Sequence, residues 1–127
     1  MTKILLVEDN EMNRDMLGRR LQRQGFTVCF AVDGPSGVTL ASEEMPDLIL
    51  MDVALGEMDG WEATKRIKAN PKTTDIPVIA LTAHALASDR ATSVQVGCSE
   101  YDTKPVDMPR LLGKIHHCLN LRSAAAS

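Results

Sequence analysis

The sequence predicts an α/β fold in which a five-stranded parallel sheet is covered by helices on both faces. Short apolar runs alternate along the chain with longer segments of helical period. Three of these runs are apolar at every position, a pattern typical of strands that are buried on both faces. A βα unit repeated five times requires right-handed crossovers, which predicts a doubly wound sheet.

The predicted strands cover residues 4–7, 27–30, 48–51, 78–81 and 100–103, of which the last is the weakest. The first helix is predicted over residues 11–24, with Met16, Leu17 and Leu21 facing inward and Gly25 ending it. The last helix carries the clearest apolar stripe, formed by Met108, Leu111, Leu112, Ile115, Cys118 and Leu119. These helices therefore have one face for the core and one for solvent.

The fourth helix differs from the others. Residues 86–96 are rich in Ala, Ser and Thr and poor in large apolar side chains, so we expect a weakly anchored helix that ends at Gly97. Asp107 is expected to cap the last helix, and Pro109 is tolerated in its first turn. Residues 122–127 are predicted to form a short disordered tail.

Composition limits the class of protein. The 127 residues suffice for one domain, and a formal net charge of -3 argues against a nucleic-acid-binding protein, which would need a basic face. Cys29, Cys98 and Cys118 lack metal-type spacing, which favours reduced thiols. We expect neither a signal peptide nor a membrane-spanning segment, because the apolar runs are too short. The predicted location is the cytoplasm.

Chemically functional side chains gather at one edge of the predicted sheet. In doubly wound folds, function concentrates at the carboxyl ends of the strands. Those ends carry Glu8 and Asp9 on strand one, Asp52 on strand three, Thr82 on strand four and Lys104 on strand five. Taken singly, each would more often be a cap, a turn residue or a surface charge. Their convergence from four strands predicts a site.

The residue types of this site favour phosphoryl transfer. Three adjacent carboxylates repel one another unless a cation lies among them, and their hard oxygens suit Mg²⁺. A divalent cation would also screen one of these carboxylates enough for it to attack phosphorus. Lys104 would neutralise the phosphoryl oxygens, and Thr82 would donate a hydrogen bond to one of them.

Several segments together resemble the receiver domain of bacterial response regulators. They are Val-Glu-Asp-Asn at 7–10, Leu-Met-Asp-Val at 50–53 with Met-Asp-Gly at 58–60, Ala-Leu-Thr-Ala at 80–83, and Lys-Pro at 104–105. The resemblance extends from residue 3 to about residue 121. It implies a CheY-like, flavodoxin-like sheet of strand order 2-1-3-4-5 and a receiver domain over residues 1–121.

The resemblance also implies how the site works. Asp52 would be the phosphoacceptor, and Glu8 and Asp9 would bind Mg²⁺ together with Asp52 and the backbone carbonyl of Ala54. Lys104 would bind the transferred phosphoryl group. The donor would be a phosphohistidine on a histidine kinase or a histidine phosphotransfer protein.

A second group of residues would transmit the signal. Thr82 and Tyr101 resemble the switch pair of receiver domains, which reshapes the face formed by helix four, strand five and helix five. The peptide bond between Lys104 and Pro105 would be cis, as is usual only before proline.

One position departs from the family pattern, and two others are the positions that tune the rate of dephosphorylation in the family. Gly56 replaces the proline that usually follows the acceptor by four residues, so a looser loop is expected there. Ala54 and His84 occupy the positions that tune dephosphorylation in the family. Ala54 lacks a side chain that could order water, and we therefore predict a long-lived phosphoryl group.

The expected role is that of a signalling domain rather than an enzyme, apart from self-catalysed phosphotransfer and slow autodephosphorylation. We expect a downstream protein effector, no nucleic acid, no membrane, and a monomer or a weak phosphorylation-dependent dimer. The pattern Glu8-Asp9-Asn10 with Asn13 resembles that of receivers in phosphorelays and hybrid kinases and of single-domain regulators of the DivK cell-cycle type, and we expect the stand-alone type. A degenerate receiver that binds partners without phosphorylation, and a receiver fragment of a hybrid histidine kinase, are the alternatives.

Two other classes of protein fit the sequence less well, one that also uses an aspartate at a strand end and one that has the same type of sheet. A haloacid-dehalogenase-type phosphatase needs a second aspartate two residues after the first, where this chain has Ala54. A flavodoxin-like electron carrier needs a Ser/Thr/Gly loop after strand one, and the negative charges within residues 8–11 would repel a flavin phosphate.

Overall fold

Five strands alternate with five helices in the computed structural model, which describes residues 2–83 and 87–126. The strands are β1 (Lys3–Val7), β2 (Thr27–Ala31), β3 (Leu48–Asp52), β4 (Val78–Thr82) and β5 (Glu100–Thr103). The helices are α1 (Glu11–Arg23), α2 (Gly34–Glu44), α3 (Gly60–Ala69), α4 (Ala87–Val96) and α5 (Met108–Ala126). The predicted strands and helices are all present, with boundaries that differ by a few residues.

The strands form one parallel sheet in the order β2-β1-β3-β4-β5. This order confirms the predicted doubly wound topology. Because all five strands run in the same direction, their carboxyl ends lie along one edge of the sheet. The strand order reverses at β1, because β2 lies on one side of it and β3 on the other, and ligands bind in the crevice at such a point in these folds.

The central strands are buried because helices cover both faces of the sheet. β3 and β4 are buried at every position. On one face, Leu21 of α1 and Ile115 of α5 pack with the strands, and on the other face Ala41 of α2 and Ile67 of α3 do so. This two-sided burial explains why the corresponding sequence runs are apolar throughout.

Glycines and capping side chains mark the ends and the starts of helices where the sequence predicts them. Gly25 and Gly97 adopt left-handed φ values of 93° and 95°, which a residue with a side chain rarely adopts. The Asn10 side chain caps α1, and Asp107 Oδ1 accepts a hydrogen bond of 3.2 Å from the backbone N–H of Arg110. These contacts satisfy backbone donors that the first turn of a helix leaves unpaired.

The prediction that Met16 faces the core is wrong. Met16 is 51% exposed, whereas Leu17 and Leu21 are buried. Successive helical residues are turned by about 100°, so Met16 lies at the margin of the stripe that Leu17 begins. Its side chain instead lines a groove of about 530 Å³ that also includes Lys104 and Pro105.

α4 and α5 are anchored to very different degrees. Ser93 and Val96 are the buried residues of α4, which confirms its weak anchoring. α5 contributes Leu111, Ile115 and Cys118 to the core.

The carboxyl end of α5 extends further than the sequence suggests. The tail predicted to be disordered after Leu121 continues as helix to Ala126, consistent with the high helix propensity of alanine. Arg122 donates hydrogen bonds to the carbonyls of Pro46, over 3.4 Å, and Asp47, over 2.9 Å. Among the residues that the structure describes, no helix combines the length and apolarity needed to cross a bilayer.

Candidate functional site

Three acidic side chains meet where β1 and β3 end. One carboxylate oxygen from each of Glu8, Asp9 and Asp52 lies within 4.8 Å of the other two. Glu8 and Asp52 are only 2% and 3% exposed, whereas Asp9 is exposed to solvent. The structure therefore brings together the acidic residues that the sequence places at this edge of the sheet.

Backbone and side-chain contacts fix the position of Glu8. Its N–H donates to the carbonyl of Ala31 over 3.1 Å, which extends the β1–β2 ladder by one residue. The N–H of Asn10 donates to Glu8 Oε2 over 3.3 Å, and the Arg14 guanidinium donates to the Glu8 carbonyl over 3.0 Å. The start of α1 thus holds the carboxylate against the end of the sheet.

Asp52 is positioned by the loop and helix that follow it. The N–H of Ala54 donates to Asp52 Oδ1 over 3.2 Å, and the N–H of Gly60 donates to the Val53 carbonyl over 3.0 Å. A Cβ added at Gly60 would collide with the backbone carbonyl of Asp52 and lie 2.8 Å from the Cα of Val53. Glycine at this position therefore allows α3 to begin directly against the backbone of Asp52, a role that the sequence analysis did not assign.

Lys104 supplies the positive charge of the site. Its ammonium lies 2.7 Å from Glu8 Oε1 and 3.3 Å from Asp52 Oδ1. Its N–H donates to the Thr82 carbonyl over 2.8 Å, and its peptide bond to Pro105 is cis. The lysine thereby reaches back from the end of β5 to the acidic residues at the ends of β1 and β3.

The proximity of these charges shifts two pKa values. Burial raises the pKa of Glu8 above its ordinary value, and Asp52 raises it further, although Lys104 opposes both effects. Burial by itself lowers the pKa of Lys104, but the hydrogen bond to Glu8 and the charges of Asp52 and Glu8 outweigh it and raise this pKa. Without a further cation, Lys104 is thus held as an ammonium between two buried carboxyl groups.

The donor set fits a magnesium ion. Glu8, Asp9 and Asp52 offer only carboxylate oxygens, which are the ligands that Mg²⁺ prefers, and Asp9 is open to solvent, so waters could complete the coordination shell. Ala54, whose carbonyl the resemblance to receiver domains implies as a further ligand, follows Asp52 by two residues and is exposed. Its role as a ligand stays a prediction.

Thr82 lies at the end of β4, beside the acidic residues. It is 4% exposed, and its hydroxyl donates a hydrogen bond of 3.4 Å to Asp89 Oδ2 in the first turn of α4. Leu81, the preceding residue, pairs with Asp52 across the sheet. His84, to which the resemblance to receiver domains assigns a role in tuning dephosphorylation, lies outside the described residues.

Tyr101 lies in β5, one strand further from Asp52. Its half-buried ring has two cations nearby, with Arg90 Cζ of α4 at 5.7 Å and Lys114 Nζ of α5 at 5.5 Å from the ring centroid. Lys114 also donates a hydrogen bond of 2.6 Å to the Tyr101 carbonyl. The ring therefore contacts both helices that flank β5.

Sequence reasoning missed a buried carboxylate next to this tyrosine. Asp102 is 3% exposed, and its Oδ1 accepts hydrogen bonds from Arg110 Nε over 2.7 Å and from the N–H of Thr103 over 2.8 Å. Its Oδ2 has no hydrogen-bond partner within the described part of the chain. The spacing of eight residues between Asp102 and Arg110, across the turn into α5, is the only sequence signal of this pair.

The chain is similar to known proteins along most of its length. The response regulator receiver domain family matches residues 4–116. The chain is 40% identical to the polar-differentiation response regulator DivK of Brucella ovis over 116 residues, which are 91% of this chain and 94% of that protein. It is 38% identical to DivK of Brucella anthropi over 112 residues, covering 88% of this chain and 91% of that protein.

Solved structures of similar fold include two from signalling proteins. The receiver domain of a sensor histidine kinase from Pseudomonas aeruginosa PAO1, with a magnesium ion coordinated in its active site cleft, superposes with a TM-score of 0.87. Its sequence identity is 36%, and the superposition covers 94% of this chain and 98% of that one. The chemotaxis protein CheY4 of Vibrio cholerae superposes with a TM-score of 0.88 at 27% identity, covering 93% of this chain and 98% of that one.

Proposed function

The chain belongs to the response regulator receiver domain family, and from this premise we propose that it accepts a phosphoryl group on Asp52 from a phosphohistidine. The arrangement of Asp52 carries the proposal. Its buried carboxylate lies between two further acidic residues, Glu8 and Asp9, and the ammonium of Lys104 is 3.3 Å from its Oδ1. An aspartate that only stabilised the fold would need neither neighbouring acids nor a cation aimed at its oxygens.

In the proposed reaction, an oxygen of Asp52 attacks the phosphorus atom in line with the bond to the histidine nitrogen. The new O–P bond forms as the P–N bond breaks, and the imidazole leaves with the electron pair and takes up a proton. Lys104 binds the phosphoryl oxygens and neutralises their charge. Mg²⁺, held by Glu8, Asp9 and Asp52, would supply additional charge neutralisation and orientation for the same oxygens.

The proposed signal is a change in the face formed by α4, β5 and α5. Thr82 would donate its hydroxyl hydrogen to a phosphoryl oxygen, and Tyr101 would turn into the space that this movement opens. The arrangement supports the proposal because Thr82 ends the strand next to β3, while Tyr101 contacts both α4 and α5. A receiver of this kind shifts between two populated states, and the phosphoryl group stabilises one of them.

The proposed partners are a histidine kinase or histidine phosphotransfer protein as donor and a protein effector as recipient of the signal. Similarity to DivK supports the single-domain regulator that we expect. Similarity to the Pseudomonas receiver supports the alternative, a receiver within a hybrid histidine kinase. We further propose a cytoplasmic location, since phosphohistidine donors present their phosphoryl group there and the cysteines are free thiols.

The proposal is tested by phosphorylation with a small donor. The protein is incubated with Mg²⁺ and acetyl phosphate, and its intact mass is measured. We expect one phosphoryl adduct in the native protein and in Asp75→Asn, which removes an exposed carboxylate of the α3–β4 loop, and none in Asp52→Asn. Equal yields in Asp52→Asn and the native protein would refute the proposal.

A degenerate receiver is the second candidate, and the same experiment separates it from the first. If the native protein forms no adduct, the chain acts as a phosphorylation-independent binding module.

The lifetime of the adduct tests the roles of Ala54 and His84. Exposed Ala54 offers no polar side chain to direct an attacking water, so we expect slow hydrolysis, and a half-life of seconds at neutral pH would contradict that expectation.

A further inference from the structure

Two consecutive residues of α4 contact the two proposed switch residues. Asp89 Oδ2 accepts the 3.4 Å hydrogen bond from Thr82, and Arg90 Cζ lies 5.7 Å from the centroid of the Tyr101 ring. Asp89 is half-buried and Arg90 is exposed. One turn of one helix therefore touches the end of β4 and the middle of β5 at the same time.

We propose that Asp89 and Arg90 form a latch that holds Thr82 and Tyr101 in the unphosphorylated arrangement. The inference rests on the proposed function, because it concerns how phosphorylation of Asp52 is transmitted. Asp89 and Arg90 are positioning residues, since they act through the switch residues and not on the phosphoryl group. Neither is among the site residues assigned above.

Competition for one hydrogen atom is the first part of the latch. A threonine hydroxyl has a single proton to donate. When Thr82 donates it to Asp89, the same proton is not available to a phosphoryl oxygen on Asp52. Phosphorylation must therefore displace Asp89 as the acceptor before Thr82 can bind the new group, and Asp89 opposes the phosphorylated state.

Charge and connectivity provide the second part. A phosphoryl group on Asp52 adds negative charge near the Asp89 carboxylate, which favours movement of that carboxylate away from the site. Because Arg90 is the next residue of the same turn, this movement also withdraws its guanidinium from the Tyr101 ring. Lys114 remains on the ring from the side of α5, so Tyr101 loses one of its two cationic contacts and gains freedom to turn.

The anchoring of α4 makes such a movement feasible. Ser93 and Val96, its buried residues, lie in the second half of the helix. Its first turn, which carries the latch, has no residue in the core. The turn can therefore shift without opening a cavity beneath it.

The first test measures the phosphorylated fraction at limiting acetyl phosphate in Mg²⁺. Asp89→Ala removes the competing acceptor and should raise the ratio of phosphorylated to free protein by about two- to tenfold, the range of one hydrogen bond. Asp89→Asn retains an uncharged acceptor and should give an intermediate ratio. Asp75→Asn, which removes an equivalent charge far from the site, should match the native protein.

A double-mutant cycle distinguishes the latch from a general effect on α4. In a Thr82→Ala background there is no hydroxyl to compete for, so Asp89→Ala should no longer change the ratio. An equal increase in both backgrounds, or no increase in the native background, would overturn the inference. A native protein that forms no adduct would refute the proposed function and, with it, the latch, whereas an adduct with unchanged yield in Asp89→Ala would refute the latch alone.

The second test uses Tyr101, the only tyrosine of the chain. Incorporation of 3-fluorotyrosine gives one ¹⁹F resonance that reports on this ring directly. In unphosphorylated Arg90→Gln the resonance should move part of the way toward its position in the phosphorylated native protein. The matched variant Arg23→Gln, on the exposed end of α1, should leave the resonance unmoved. An unmoved resonance in Arg90→Gln would show that Arg90 does not hold Tyr101 and would refute its part in the latch.

Discussion

Replacing Lys104 with methionine should destabilise the metal-free protein, because two buried carboxyl groups would lose their only close cation within the described chain. The ammonium lies 2.7 Å from Glu8 and 3.3 Å from Asp52, and the lysine side chain is 24% exposed. At an effective dielectric constant of about 20, these distances correspond to gross attractions of about 6 and about 5 kcal/mol. Desolvation of the three groups offsets most of this attraction. We expect a net loss of about 3 kcal/mol in the free energy of unfolding, which is the lower end of the range for removing one partner of a buried ion pair.

The loss should depend on pH, and its sign follows from the raised pKa of Glu8. A carboxyl whose pKa is raised in the folded state stabilises the protein fully below its unfolded pKa, and this contribution is lost as pH rises through the folded value. Lys104 opposes the shift in Glu8, so its removal raises the pKa of Glu8 further. Protonated Glu8 leaves one buried charge fewer, and the effect of Lys104→Met should therefore shrink as the pH is lowered.

Urea unfolding in EDTA, at about pH 7.5 and about pH 5, measures both quantities. Lys65→Met, on the exposed surface of α3, provides the matched control and should change stability by less than about 0.5 kcal/mol. Millimolar Mg²⁺ should recover part of the loss in Lys104→Met if the carboxylates bind it. A loss below about 1 kcal/mol at the higher pH, or one that does not fall with pH, would refute the account of Lys104 as the counter-ion of this site.

Three further predictions follow from the same region and from the core. Gly60→Ala should destabilise the protein by about 1–3 kcal/mol in urea unfolding, because the new Cβ collides with the backbone of Asp52. Gly56→Ala should have little effect, since among the described residues other than its chain neighbours no atom lies within 4 Å of an added Cβ. Burial raises the pKa of the Cys98 thiol from 9.0 to about 11, so its alkylation at neutral pH should be about a hundredfold slower than that of an ordinary thiol and should accelerate with pH; a rate like that of free cysteine would contradict this. Trp61, the half-buried second residue of α3, should change its fluorescence on addition of Mg²⁺, and no change at millimolar metal would count against a metal site beside α3.

The sequence predicts the sheet well because burial on both faces leaves a simple pattern. Residues 48–51 and 78–81 are apolar throughout, and in the structure both lie in fully buried strands. The convergence of polar groups follows from the same topology, since parallel strands end at one edge. Asp52 and Lys104 could therefore be placed together although they are far apart in the sequence.

Features that depend on side-chain direction were not predictable in this way. Met16 precedes the buried Leu17 and differs from it in burial only because of a rotation of about 100° around the helix axis, which an apolar residue type does not reveal. The hydrogen bond between Thr82 and Asp89 joins the end of β4 to the first turn of α4, and no local sequence pattern specifies it. Neither the exposure of Met16 nor the contact of Thr82 with Asp89 has a signature in composition or spacing.

The uneven attachment of the two helices beside β5 has a consequence for local unfolding. α5 is tied down along its length, through Arg110 to Asp102, through Lys114 to the backbone of β5, and through Arg122 to the chain before β3. The first turn of α4 contributes no residue to the core. Free energies of local opening follow buried contacts, so amide hydrogens of α4 should exchange with solvent through small openings while those of α5 exchange only in larger ones. We therefore expect conformers with a locally unfolded α4 to form a minor population of the folded protein.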